Sequence, residues 1–304
     1  MKIFLAGGTG FLGQYLCRFL TRRGHEITLL IRSPVGKMDG RARIVRGDPT
    51  QRGQWQDVCG DHEVVINLTG ASIFQPWTRK TKKAIHESRI LSTDNIVEAI
   101  RNVRDREVHL FNASGVGYYG YSTGALFDED GLPGDTFLAR LANLWEERAL
   151  RAQESGARVV LCRFGIVLGE GGGAFQRMVP LVRFHLGVPW GAGDQWFSWI
   201  HERDVAEIFS FLLDDKSITG PVNFAAPMPI RNREMMATLN KVFHKRPFPF
   251  IPSIPRWLFA GLLGEFSTVF LEGQRVIPRV LTTKGFQFTY RTFEEAAADL
   301  IRSK

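Results

Sequence analysis

Cysteine is scarce in this chain: Cys17, Cys59 and Cys162 are its three, set far apart and without metal-ligand spacing. They read as buried, reduced thiols of a cytosolic protein, so neither a disulfide framework nor a zinc site is expected. Long apolar runs are missing too. None approaches the roughly 20 residues that span a bilayer, and no membrane partner is expected. The net charge of +8 comes from basic residues that are scattered rather than run together. That suits an anionic ligand such as a phosphorylated cofactor and argues against a nucleic-acid partner. There is no internal repeat and no low-complexity linker. The first strand starts directly at the N-terminus, so no signal peptide is expected and the cytoplasm is the expected location.

What is present is organised around residues 2–13. Ile3 to Ala6 is an apolar run the length of a buried strand, Gly7, Gly10 and Gly13 follow, and residues 11–23 carry helical periodicity. In such a strand–turn–helix one glycine allows the sharp turn and another lets the backbone approach a pyrophosphate. The third lets helix and strand lie close, and the N–H groups of the first helical turn receive the anion. A second strand over 26–31 ends in Arg32-Ser33-Pro34 with no acid at its end. A free ribose 2′-hydroxyl is usually met by a carboxylate there and a 2′-phosphate by arginine, which predicts NADP rather than NAD.

Further strands are expected over 43–46, 64–67, 108–111 and 159–164, alternating with helices over 78–103 and 137–153. This alternation predicts a doubly wound parallel sheet. Asp48 after the third strand suits either the adenine amino group or a turn cap. Leu68, Thr69 and Gly70 leave the fourth strand at the end where ligands lie in an open parallel sheet. Arg89, within the long helix, reads as a solvated charge or as a phosphate contact, depending on whether that helix borders the cleft. Ser114, Tyr118 and Tyr119 follow the 108–111 strand and bring hydroxyls to its carboxyl end. Beyond residue 169 the pattern shifts to glycine- and aromatic-rich segments. Expected there are a helix over 175–186, a strand turning into a helix at 200–205 capped by Asp204 or a neighbour, and a strand over 221–225. Helices over 232–244, 256–263 and 293–301 and a segment over 274–278 complete the chain. The expected architecture is a Rossmann-type cofactor domain over 1–168, to which 200–225 returns. A smaller α+β substrate lobe is formed by 169–199 and 226–304.

Several motifs in order then carry a resemblance. They are G-G-T-G-F-L-G at 7–13, N-L-T-G at 67–70, E-S-R at 87–89, G-Y-Y-G at 117–120, R-F-G-I-V-L-G at 163–169 and W-I-H-E-R-D at 199–204. With G-E at 264–265, G-Q-R-V-I-P at 273–278 and G-F-Q-F at 285–288 they run nearly end to end. The chain resembles the extended short-chain dehydrogenase/reductase superfamily, and within it the "epimerase family protein" branch, which is sugar-nucleotide epimerase-like and has a small C-terminal domain. The resemblance implies a pyrophosphate on Thr9, Gly10, Phe11 and Leu12 and a 2′-phosphate near Arg32 and Ser33. It sets Leu68, Thr69 and Arg89 along the rest of the cofactor, and by analogy it suggests a homodimer through the helices over 78–103 and 137–153.

One family feature is absent. Relatives use a Tyr-x-x-x-Lys pair on the helix after the serine-bearing strand, where the lysine lowers the tyrosine's pKa for proton transfer. Here that helix has neither residue type. Ser114 and Tyr118 are the candidate replacements. Tyr119 and His201 also fit structural roles, Lys80, Lys82 and Lys83 read as a solvated helix face, and Trp190, Trp196 and Trp199 suit either a substrate wall or lobe packing. The expected function is an NADP-dependent epimerase or reductase acting by hydride transfer on a sugar nucleotide or small carbonyl compound. The alternative is a non-catalytic NADP(H)-binding sensor or assembly protein.

Overall fold

The computed structural model describes residues 1–33, 41–103 and 105–302. Seven strands form the central sheet: β1 (Lys2–Ala6), β2 (Glu26–Ile31), β3 (Arg43–Arg46), β4 (Val64–Asn67), β5 (His109–Gly115), β6 (Arg158–Phe164) and β7 (Gly220–Phe224). They lie in the order β7-β6-β5-β4-β1-β2-β3, every pair parallel. Unbroken apolar runs such as Ile3–Ala6 and Val64–Ile66 have no exposed surface, as strands covered on both faces require.

Helices supply those covers. α1 (Phe11–Arg22) sets Leu16 and Leu20 against one face, joined there by Val205, Phe209 and Leu212 of a later helix, Glu202–Asp214. On the other face lie α2 (Trp55–Gly60), α3 (Arg79–Arg101) and α4 (Phe137–Leu150), contributing Trp55, Ile96, Ile100 and Ala149. α3 and α4 are capped by Thr78 and Thr136, whose hydroxyls accept the N–H of Thr81 and Ala139. α1 has no such cap.

The smaller lobe, next to the sheet helix α6 (Glu202–Asp214), gathers α5 (Gly173–Arg183), α7 (Asn232–Val242), α8 (Arg256–Leu263) and the terminal helix Phe293–Arg302. Its core holds Phe175, Trp199, Met235, Leu239, Phe293 and Leu300. Short strands stitch the lobes together: Trp199–His201 runs parallel to Ile166–Leu168, and Arg275–Val276 parallel to Leu126–Phe127.

Some expectations change in detail. β5 runs on through Gly115, so Ser114 sits in the strand rather than beyond it. The 274–278 segment pairs over Arg275–Val276 alone. α6 is capped by His201, whose Nδ1 accepts the N–H of Arg203; Asp204 instead accepts the N–H groups of Thr289 and Tyr290, fastening the C-terminal segment. α2 was not foreseen, because one turn of helix is too short to show periodicity. The three cysteines are buried and none is in a disulfide. Among the described residues no helix is long and apolar enough to cross a membrane, and no group of side chains could hold a metal.

Candidate active site

The turn after β1 is built by what its glycines omit. Gly7 has φ +83°, and a Cβ there would lie 2.7 Å from the Leu68 carbonyl, so both conformation and the neighbouring β4 loop demand glycine. A Cβ on Gly13 would come 2.6 Å from Gly8 Cα, which is the close helix–strand packing the spacing predicted. Gly10 is different. A Cβ there would meet only Gly7 O, at 3.4 Å, so its bare Cα leaves room in front of the helix. Gly10 is also the N-cap of α1, with no side-chain cap and no acid in the first turn. The open N–H groups and the helix dipole make that turn a site for an anion.

A second cation-like element faces the same space. The guanidinium of Arg89 donates from Nη1 to Ala71 O and Ile85 O, both at 3.0 Å, and lies 5.1 Å from the Trp145 ring centroid. A Cβ on Gly70 would touch it at 2.9 Å. Desolvation lowers its pKa to about 10, leaving it cationic near neutral pH, and among the described residues it forms no ion pair with a carboxylate. Leu68 follows β4 beside Gly7, whereas the Thr69 hydroxyl is buried against Asn67 and Ser92, which leaves only its main chain for a ligand. Arg32 and Ser33 are exposed at the end of β2, next to the undescribed residues 34–40.

Of these elements the first turn of α1 and Arg89 border a cavity of about 380 Å³; Leu68, Thr69, Arg32 and Ser33 are not in its lining. Phe11, Leu12 and Arg89 line one side, Ser114 and Gly115 its floor, and Trp190, Trp196 and Phe270 the wall from the smaller lobe. α4 contributes Leu138, Leu141, Ala142 and Trp145. The two pairs spaced by four residues, Leu138 with Ala142 and Leu141 with Trp145, fill the helix face where a Tyr-x-x-x-Lys pair would have to stand, and both are apolar.

The floor has a polar underside. Register sets Ser114, Arg163 and Asn223 in one row across β5, β6 and β7. Ser114 Oγ donates to Glu146 Oε1 at 2.6 Å. Glu146 is gripped by two N–H groups of Arg163, from Nε at 2.9 Å and Nη2 at 2.7 Å. Arg163 also donates to the Tyr119 hydroxyl, which donates to Asn223 Oδ1. A hydroxyl has one hydrogen to give, and here Glu146 takes it. Ser114 therefore meets the cavity as an acceptor.

The other candidates lie elsewhere. Tyr118 does not line the cavity; its ring centroid sits 3.6 Å from the Arg163 guanidinium carbon, and burial raises its pKa. Tyr119 is buried, with burial pushing its pKa to about 12, and its hydroxyl is committed on both sides. His201 faces a separate cleft, 3.5 Å from Asp299, its pKa pushed down to about 4 chiefly by burial. Lys82 pairs with Glu265 and Lys83 with Glu87. The tryptophans divide: Trp190 and Trp196 line the cavity, while Trp199 is core. Asp48 accepts from Thr50 N and Oγ1, the turn-capping role.

Glu146 and Arg163 were missed from the sequence, although a signal exists. Glu146 interrupts the small, buried stripe Ala139, Ala142, Ala149 of α4, and Arg163 interrupts the apolar run of β6. Charges on two buried faces call for each other.

The description "NAD dependent epimerase/dehydratase family" matches residues 3–224, and a domain of unknown function, DUF1731, matches 254–300. The epimerase family protein YfhF of Bacillus subtilis is 36% identical over 312 residues, covering 100% of this chain and 99% of the relative. The chloroplastic SDR39U1 homolog of Arabidopsis thaliana, also named an epimerase family protein, is 37% identical over 306 residues, 97% of this chain and 85% of its own. Among solved structures, human epimerase family protein SDR39U1 (isoform 2) with NADPH superposes with a TM-score of 0.88 at 30% identity, covering 100% of both chains. A nucleoside-diphosphate sugar epimerase of Corynebacterium glutamicum gives 0.78 at 27% identity over 100% of this chain and 59% of its own. With a glycine turn, a parallel Rossmann sheet and full-length relatives in agreement, the chain belongs to the NAD-dependent epimerase/dehydratase family, in its epimerase family protein branch with the C-terminal DUF1731 domain.

Proposed function

We propose that this protein binds NADP(H) between α1 and the carboxyl ends of β2 and β4 and uses it for hydride transfer on a small hydroxyl- or carbonyl-bearing substrate, sugar nucleotides included. The observation that carries this reading is Arg89, a half-buried cation without a carboxylate, in the same cavity as the open first turn of α1. The cost of desolvating that charge is offset when a phosphate arrives. In this reading Gly7, Gly10 and Gly13 admit the pyrophosphate, and the main chain of Thr9, Phe11 and Leu12 receives it. Leu68, Thr69 and Gly70 border the ribose, and Arg32 with Ser33 meets the 2′-phosphate. The NADPH of the human relative supports the same choice. Residues 1–168 with 200–225 form the cofactor half, 169–199 with 226–304 the substrate half, and α3 with α4 the homodimer contact.

A bound nicotinamide supplies or accepts the hydride. The chain's own part is to hold a substrate hydroxyl against Ser114 Oγ. As that hydroxyl yields its proton to Ser114 Oγ, the proton of Ser114 moves to Glu146 Oε1; in reverse, the same pair protonates a carbonyl oxygen. Ser114 is thus the substrate contact, and Tyr118 holds Arg163 from above by its ring face.

The second reading, an NADP(H)-binding sensor or assembly protein, draws on the apolar cavity face of α4. Nicotinamide fluorescence and absorbance separate the two. Wild-type protein should prefer NADPH to NADH, and Arg32→Glu should weaken NADPH far more than NADH; equal loss for both sinks the 2′-phosphate assignment. Binding without any absorbance change across a broad panel of sugar nucleotides, alcohols, aldehydes and ketones leaves the second reading standing.

A further inference from the structure

The outer side of the smaller lobe carries a surface that the cofactor reading does not use. α8 is the most apolar of the described helices of eight or more residues, yet none of its residues is buried. Its Phe259 turns inward to Trp190 and Phe270, while Trp257 and Leu262 are 73% and 75% exposed. The turn before it leaves Phe250 91% exposed. Phe184, exposed at the end of α5, belongs to the same patch: His185 Nδ1 lies 2.6 Å from Arg246 O, and Phe248 N donates to His185 O at 3.1 Å.

Within the sequence of this segment charge has one sign. From residue 235 to 264 there is no Asp or Glu, while Lys241, Lys245, Arg246 and Arg256 are present. Lys241 and Arg256 reach outside the segment to Glu294 and Glu272. Arg183, Lys245 and Arg246 form no ion pair among the described residues. Pro247, Pro249, Pro252 and Pro255 also remove four backbone N–H donors from the turn.

We propose that this face docks on an anionic lipid surface, with Phe250, Trp257 and Leu262 entering the headgroup boundary and Arg183, Lys245 and Arg246 meeting lipid phosphates. Exposed Trp, Phe and Leu beside cations, with no acid among them, is the composition of a segment that lies in the interface plane. A turn short of N–H donors enters that boundary with fewer groups to satisfy. A second copy suits the face poorly, because a two-fold contact would set the three cations against themselves. Docking of this kind needs no spanning helix, so the short apolar runs of the sequence do not bear on it.

The test is sedimentation of the full-length protein with vesicles of phosphatidylcholine plus phosphatidylglycerol and with phosphatidylcholine alone. Binding should appear on the anionic vesicles at low salt and fall about tenfold on the neutral ones. Phe250→Ser with Trp257→Ser, and separately Lys245→Glu with Arg246→Glu, should each weaken it about tenfold while the thermal melt stays at the wild-type temperature. Absence of sedimentation, equal binding to both vesicles, or full binding by either variant overturns the proposal. So does a dimer in light scattering that Trp257→Ser dissolves, which gives the face to a second copy. Retention on polyglutamate without vesicle binding gives it to an acidic protein instead.

Discussion

Beside the cavity the turn after β1 is made of backbone: Gly7, Gly10 and Gly13 shape it within seven residues of sequence, and from it Phe11 and Leu12 of the first turn of α1 reach the cavity. Across the same space the floor and far wall are made of side chains drawn from distant segments. Ser114 and, beneath it, Glu146 and Arg163 come from three elements, and Trp190, Trp196 and Phe270 from separate segments of the smaller lobe. The first kind of wall tolerates little change in sequence and offers one ligand chemistry, an anion. The second can be refitted residue by residue, which is how a fold keeps its cofactor while its substrate changes.

The side-chain floor should be the costlier one to break. Glu146→Ala leaves the Arg163 guanidinium, 4% exposed, without its carboxylate. Breaking one partner of a buried pair costs about 3–5 kcal/mol, and a shift of the urea midpoint measures it. Glu146→Gln, which keeps an acceptor, should cost less. If Glu146→Ala unfolds no earlier than wild type, Arg163 is held by something else and the relay beneath Ser114 loses its anchor.

Arg89 sharpens the comparison, because it is the one side chain on which the backbone wall depends. Arg89→Met should lower NADPH affinity by about 1.5–3 kcal/mol, roughly 10- to 150-fold, the range for hydrogen bonds to a charged group. Folding stability should hold or rise, since a desolvated cation without a carboxylate is removed. The opposite pattern, stability lost with affinity kept, would make Arg89 a strap for the carbonyls of Ala71 and Ile85 and nothing more.

The same contrast explains what the sequence displays. The sheet, the glycine turn and α3, α4 and α8 could be read from local period and spacing, because contiguous residues determine them. Ser114 could be read by its place at a strand end, but not its partners: Glu146 and Arg163 lie 32 and 49 residues away, joined only by sheet register and helix packing. His201 illustrates the limit from the other side. Its imidazole suits acid–base work, but at a strand–helix junction a hydrogen-bonded structural role is the better expectation, and the fold uses its Nδ1 as a helix cap beside another cleft. Of the caps expected there, Asp204 or a neighbour, the neighbour His201 serves, because the C-terminal segment claims the Asp204 carboxylate.

The smallest effect lies at the seam of the two halves, where Glu202 of α6 accepts the N–H of Glu170 at 3.1 Å and packs beside Phe11 of the cofactor turn. Burial raises its pKa from 4.5 to about 7. The folded state then holds a proton that the unfolded chain has released, so the stability Glu202 supports is full below pH 4.5 and is lost as pH rises through 7. His201 beside it works in the opposite direction: its pKa falls from 6.5 to about 4, so its share is full above pH 6.5 and is lost as pH falls toward 4. Glu202→Gln keeps the acceptor and removes the titration. Stability should be unchanged at pH 4 and higher by about 2 kcal/mol at pH 8, leaving the rise due to His201 exposed in thermal melts taken between those limits. A variant whose melting temperature tracks wild type at every pH would show that the seam accommodates the Glu202 carboxylate without cost, and that its two sides are joined there by packing alone.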